Sequence, residues 1–198
     1  MNIRVKVNTL FFVTFLIWGS GCSGTADRNN VSDTQILSTQ QKSMIEDGWY
    51  IPKNKPHGEL SELYGTKSKY GQQDNYFDIN IGSGCDVAVK IMNAANDECI
   101  RYVFISENSS ENIQMIPQGK YYLKIAYGRD WMEYDNGDDT LRGKFTSNIS
   151  YDKSTDYFDF GKKNSSSLVN YELNINIDND QLIHNFQTVS ISEKEFFE

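Results

Sequence analysis

Val169-Asn170-Tyr171-Glu172-Leu173-Asn174-Ile175-Asn176-Ile177 is the stretch that decides the fold class. Apolar or aromatic residues stand at every second position, and amides or a carboxylate fill the gaps. A period of two puts successive side chains on opposite faces of a strand, one face on a core and the other in water, as in antiparallel sheets. The same rhythm runs through Phe77, Ile79 and Ile81, through Val87, Val89 and Ile91, and through Ile100, Tyr102 and Phe104. Further strands are predicted over 112–116, 120–127, 141–145, 157–160 and 186–192. Eight or nine short strands separated by turn signals predict an all-β chain, an antiparallel β-sandwich.

The 198 residues hold 19 Lys+Arg against 27 Asp+Glu, 13% aromatics, three Cys and two His. That length suits one domain with appendages, and the aromatic content is too high for a disordered chain. A net charge of −8 offers no basic surface to displace counterions from phosphates, so nucleic acid is not an expected partner.

Ile116-Pro117-Gln118-Gly119-Lys120-Tyr121-Tyr122-Leu123-Lys124 resembles the Pro-x-Gly-x-Tyr turn and strand of transthyretin-like sandwiches, a group that includes carboxypeptidase regulatory-like domains. In physical terms, Pro117 sets a turn, Gly119 accepts positive φ, and Tyr121, Leu123 and Ile125 then point inward. The upstream hairpin, 86–92 and 99–105, stands in the order this resemblance implies. The expected fold is therefore a transthyretin-like or Ig-like sandwich.

Residues 1–21 read as a signal peptide: Arg4 and Lys6, an apolar run from Thr9 to Trp18, then Gly19, Ser20 and Gly21. Ten helical residues span about 15 Å, half of a hydrocarbon core of about 30 Å, so the run is too short for a permanent anchor. The following Cys22 makes the segment resemble a bacterial lipoprotein signal, matched at Ser20, Gly21 and Cys22. The other reading is an ordinary secretory signal with Cys22 incidental. Lipidation of Cys22 would supply the anchor that the apolar run cannot. Loss of residues 1–21, which hold two positive charges and no negative ones, takes the net charge from −8 to −10. In lipoproteins an Asp after the Cys implies retention at the inner membrane, whereas Ser23 implies the outer membrane. Without an acidic run at 23–27, the periplasmic leaflet is favoured over the cell surface. Residues 22–47 are then the lipidated Cys and a flexible tether, 48–73 an extension packed on the domain, and 74–198 the sandwich.

With Cys22 lipidated, Cys85 and Cys99 remain. A hairpin turn near Ala95 and Asn96 sets Cys99 opposite Met92, leaving Cys85 about 23 Å away at about 3.3 Å per residue, against a Cα limit of about 7 Å for a bridge. Two unbridged thiols are expected.

The pattern carries no catalytic constellation. His57 and His184 have no metal-ligand spacing and read as loop residues, Gly82-Ser83-Gly84-Cys85 links two strands rather than a strand and a helix, and no G-x-S-x-G elbow is present. Neither enzyme activity, a cofactor nor a metal is expected. The weak exception is a Ca²⁺ site at Asp135, Asp138 and Asp139 around Gly137, which lacks EF-hand spacing and reads first as a solvated hairpin loop. The candidate ligand-binding aromatics are Trp49, Tyr50, Tyr122, Tyr127 and Trp131, which if exposed together would stack on sugars and if buried would close the sandwich. The functional expectation is a non-enzymatic cell-envelope lipoprotein, bound to the membrane through its lipid and docking another envelope protein with its sandwich. The alternative is a carbohydrate-binding accessory lipoprotein. Exposure or burial of those five rings separates the two.

Overall fold

The computed structural model describes residues 37–161, 168–178 and 181–198. The segment expected as signal peptide, Cys22 and the first part of the expected tether lie outside the described residues. In chain order the elements are α1 (Thr39–Glu46), β1 (Gly58–Glu59), β2 (Tyr76–Ile81), β3 (Asp86–Asn93), β4 (Cys99–Ile105), β5 (Ser109–Gln114), β6 (Lys120–Arg129), β7 (Met132–Asp135), β8 (Leu141–Lys144), β9 (Ser147–Ser154), β10 (Phe158–Asp159), β11 (Tyr171–Asp178), β12 (Gln181–His184), β13 (Thr188–Ser190) and α2 (Glu193–Phe197).

The architecture is all-β with two short helices. One sheet runs β1-β4-β3-β6-β9-β13, with β10 also on β6, and a second runs β12-β11-β2-β5; β7 and β8 form a separate hairpin. Every pairing is antiparallel except β11 on β2, which is parallel with Leu173 opposite Ile79. The alternating residues of the second sheet, Phe77, Ile79, Ile81, Ile113, Leu173 and Ile175, share one core with Val87, Val89, Ile91, Leu123 and Ile125 of the first. Burying those faces against each other is what holds the two sheets together.

The first sheet departs from the alternation rule. Its outer face is not in water but under a second apolar cluster of Leu60, Ala88, Tyr102, Phe104, Trp131, Phe145 and Phe196. Tyr102 and Phe104, expected in the main core, belong to this outer cluster, while Val103 and Ile105 face inward. A bulge between Ile91 and Met92 sets Ile91 opposite Arg101 and Met92 opposite Cys99. It leaves Ile100 as the extra residue, so Arg101 comes to share the inner side with Ile91 and Val103. The same register matches the predicted hairpin: Cys99 faces Met92, and Cys85 and Cys99 are both free.

Tyr121 explains the Pro-x-Gly-x-Tyr segment. Its ring is in the main core, and its hydroxyl donates to the Pro117 carbonyl at 3.0 Å. A Cβ on Gly119 would meet that oxygen at 3.2 Å, which favours glycine there.

The extension at 48–73 is tied to the β7 strand, to the first sheet and, at its end, to the residue after β5. β1 pairs with β4, Leu60 N–H donates to the Tyr102 carbonyl, Lys69 N–H to the Ile100 carbonyl, and Gly71 N–H to the Met115 carbonyl. α1 occupies the last part of the segment expected as tether. It begins at a capping box, Ser38 and Gln41 bonding each other's backbone, and buries Gln41 and Met44. No helix among the described residues is long and apolar enough to cross a membrane.

Candidate functional site

The five candidate aromatics do not form one surface. Tyr122, Tyr127 and Trp131 are only 4%, 1% and 4% exposed. Tyr127 belongs to the inter-sheet core and Trp131 to the outer cluster. Tyr122 is on the opposite face of β6 from Tyr127, its hydroxyl donating to Asp97 at 3.0 Å. A row of rings on which a sugar could lie is therefore not built from these side chains. Tyr50 is 40% exposed and Trp49 half-buried.

Tyr50 is fixed by Glu133, just before the acidic loop at 135–139, whereas Trp49 lies against the Tyr134 ring at 5.6 Å. Glu133 is buried in β7, and its backbone exchanges two hydrogen bonds with that of Tyr50 at 2.8 and 2.9 Å. Its carboxylate accepts from Tyr64 Oη at 2.8 Å, from Trp131 Nε1 at 3.2 Å and from Tyr50 Oη at 3.2 Å. Among the described residues, three neutral donors and no cation hold this carboxylate. Burial, and then the hydrogen bond to Glu133, push the Tyr64 phenol well above its usual value; burial and Glu133 raise Tyr50 as well.

Two of the three exposed aspartates of that hairpin accept from the backbone of their own loop. Asp135 accepts from Gly137 N–H at 2.7 Å, and Asp138 from Thr140 N–H at 3.2 Å. Asp139 is exposed at φ 64°. Among the described residues no group of three metal-ligating side chains comes together. His57 sits in a loop and pairs with Glu111 at 2.7 Å, but His184 is in β12, stacked on Phe186 rather than free in a loop.

The open side of the sandwich is at β5. Strands at the sheet margins are short, two residues in β1, three in β13 and four in β12, whereas β5 has six. β5 bonds β2 on one side only. Its sequence, Ser109-Ser110-Glu111-Asn112-Ile113-Gln114, contains neither the Lys nor the Pro that commonly guards an edge. Beside it a groove of about 250 Å³ runs between β5 and the rim formed by Glu59, Tyr70 and Arg101.

Arg101 is the unusual group there. Its side chain is 1% exposed, with Nε 3.4 Å from Glu59 and its guanidinium carbon 3.8 Å from the centre of the Tyr70 ring. Nη1 donates to the Lys69 and Ile100 carbonyls, and Nη2 has no partner among the described residues. A buried guanidinium N–H without an acceptor is costly, so an acceptor brought into the groove would be bound in proportion. The sequence signal was one charge inside an apolar strand; the bulge that turns it inward was not visible.

No family model, curated protein or solved structure matches this chain.

Proposed function

We propose that this is a lipoprotein of the bacterial outer membrane, held by lipid on Cys22 in the periplasmic leaflet. In this reading its transthyretin-like sandwich is a non-enzymatic module that docks another envelope protein. An extended segment of that partner adds to β5, with one of its carbonyl groups taking the unpaired Nη2 of Arg101. The observation that supports this is the six-residue edge, unguarded by Lys or Pro, beside a groove holding an unsatisfied buried donor. Strand addition draws affinity from main-chain hydrogen bonds and selectivity from pockets beside them, and β5 with its groove offers both. The lipoprotein assignment rests on Ser20-Gly21-Cys22. The transthyretin-like assignment rests on the Pro117–Tyr121 turn. The carbohydrate-binding alternative has lost three of its five rings to the interior.

The test is photo-crosslinking in the cells that make the protein. A benzophenone amino acid replaces Met115, which is 43% exposed and lines the groove, or Tyr157, which is exposed elsewhere. A discrete adduct from position 115, absent from position 157 and lost with Arg101→Met in the folded protein, is the expected result. Equal labelling from both positions, or none from 115, overturns it.

A further inference from the structure

On the outer side of the first sheet, away from β5, lies a larger cavity of about 630 Å³, walled by the β7–β8 hairpin, the turn at 61–66 and α2. Its volume is in the range of small-molecule sites, about 300–1,000 Å³. Trp49, with the Lys144 ammonium 5.5 Å from its ring centre, and Tyr64 give it aromatic wall, and Thr66 and Asn136 add a hydroxyl and an amide.

The charge of the wall runs against that of the chain. Four cations, Lys90, Arg142, Lys144 and Lys194, face two glutamate side chains, on a protein whose net charge is −8. Each of those glutamates is already held by a lysine: Lys144 reaches Glu193 at 3.1 Å and Lys194 reaches Glu198 at 3.4 Å. Lys90 and Arg142 have no carboxylate at ion-pair distance among the described residues.

Lys90 is the informative one. It is half-buried on β3, where its ammonium donates to the Phe196 carbonyl at 3.0 Å and otherwise faces the rings of Tyr102, Phe196 and Phe197 at 5.2, 4.9 and 5.4 Å. An ammonium has three N–H donors, and one carbonyl uses one of them. Burial pushes its pKa down to about 8, with Lys124 also lowering it and Cys99 acting the other way. Independently, Tyr102 lines the same cavity, and its buried hydroxyl has no hydrogen-bond partner among the described residues. A cation without a counter-charge and a phenol without an acceptor therefore stand in one wall.

We propose that this cavity binds a sugar acid, with the carboxylate taken by Lys90, a ring oxygen or hydroxyl by Tyr102, and the pyranose ring lying against Trp49 and Tyr64. The argument for a sugar over a plain aromatic acid is the wall itself, which combines two aromatic rings with hydroxyl, amide and cationic groups. Such a mixture suits a ring with one apolar face and a polar rim. This site is independent of docking at β5, since it shares no lining residue with the groove there.

The test is calorimetric or NMR titration of the purified protein at low salt with glucuronic acid, glucose, glucose 6-phosphate and benzoate as probes. Glucuronic acid is expected to bind about tenfold or more tighter than each of the other three. Added salt should weaken it, because the contact is ionic. Lys90→Met keeps the aliphatic stem and should abolish the preference for glucuronic acid over glucose. If that variant does not fold, Arg142→Glu at an exposed position should weaken glucuronic acid and leave glucose unchanged. Equal binding of glucose, equal or tighter binding of benzoate or of the phosphate, or no binding of glucuronic acid overturns the proposal.

Discussion

Glu133 is the residue whose removal should be felt most widely, and its cost can be worked from its contacts. Glu133→Ala removes the acceptor from three donors at once. Tyr50 is 40% exposed, so water replaces the carboxylate at its hydroxyl. The indole N–H of Trp131, itself 4% exposed, has no such recourse, and the half-buried Tyr64 loses a charge-assisted hydrogen bond worth about as much. A buried donor left unpaired costs about 1–3 kcal/mol, which puts Glu133→Ala at about 3–4 kcal/mol. Glu133→Gln is different. Its carbonyl oxygen can stay with Tyr64 and Trp131, and its amide can donate to Tyr50, which reverses its hydroxyl. Only the charge assistance is lost, about 1 kcal/mol. In urea unfolding at neutral pH, with a slope of about 2 kcal/mol/M, the alanine variant should lose about 1.5–2 M of midpoint and the glutamine variant about 0.5 M. The slope itself should not change. If the two substitutions cost the same, or alanine costs under about 1 kcal/mol, the three donors are not what holds this carboxylate and the reasoning fails.

Tyr121→Phe keeps the ring in the core and removes only the bond to the Pro117 carbonyl, so it should cost about 1 kcal/mol in the same assay; a loss above about 3 kcal/mol would mean that the ring has moved. Burial raises the Cys85 thiol to about 11 and also raises Cys99. An aromatic disulfide reagent at pH 8 should therefore label neither in the native protein and both in urea. Because the folded chain keeps the Cys85 proton to a higher pH than the unfolded chain does, this thiol's contribution to stability is intact below about pH 9. It is lost as the pH rises towards about 11, a decline that Cys85→Ala should lessen. Growth with an alkyne fatty acid should label the protein and not its Cys22→Ser variant; label surviving the substitution would refute the anchor.

How much of this was legible in the sequence depended on what lay over each face. The turn end of the β3–β4 hairpin was readable, Met92 opposite Cys99, because a short polar turn between two apolar runs leaves little choice of register there; the bulge at Ile100, which shifts every later pair and turns Tyr102 and Phe104 to the outer cluster, was not. The second sheet was readable too, since its outer face carries Asn80, Asn174 and Asn176 and the alternation survives. β9 was not. Ser147-Asn148-Ile149-Ser150-Tyr151-Asp152-Lys153-Ser154 has few apolar residues, and its burial depends on partners far along the chain: Asp152 accepts from Thr188 and Ser190, both at 3.1 Å. α2 stands just past a predicted strand, and its five residues are too few to show a helical period. The parallel pairing of β11 with β2 joins segments about ninety residues apart, which no local pattern announces.

The same limit hid the candidate sites. Lys90, Arg101 and Lys124 alternate with apolar residues and read as solvent-facing. Each is drawn under cover by a distant segment, Lys90 and Lys124 by the carbonyls of α2 and Arg101 by the Lys69 carbonyl. Long aliphatic stems let lysine and arginine sit against apolar surface while their ends find oxygen atoms, and only the fold shows which ends find too few.

The central claim, that β5 stands open for a partner's strand, is tested most directly by amide hydrogen exchange on the purified protein, read residue by residue. The amides of Ser109–Gln114 that point away from β2, every second one, should exchange at nearly the rate of an unstructured peptide. Those of Val87–Ile91 and Leu123–Ile125 should exchange only through global unfolding. Slow exchange at all six positions of β5 in the free protein would mean that the edge is already covered, and would contradict the account.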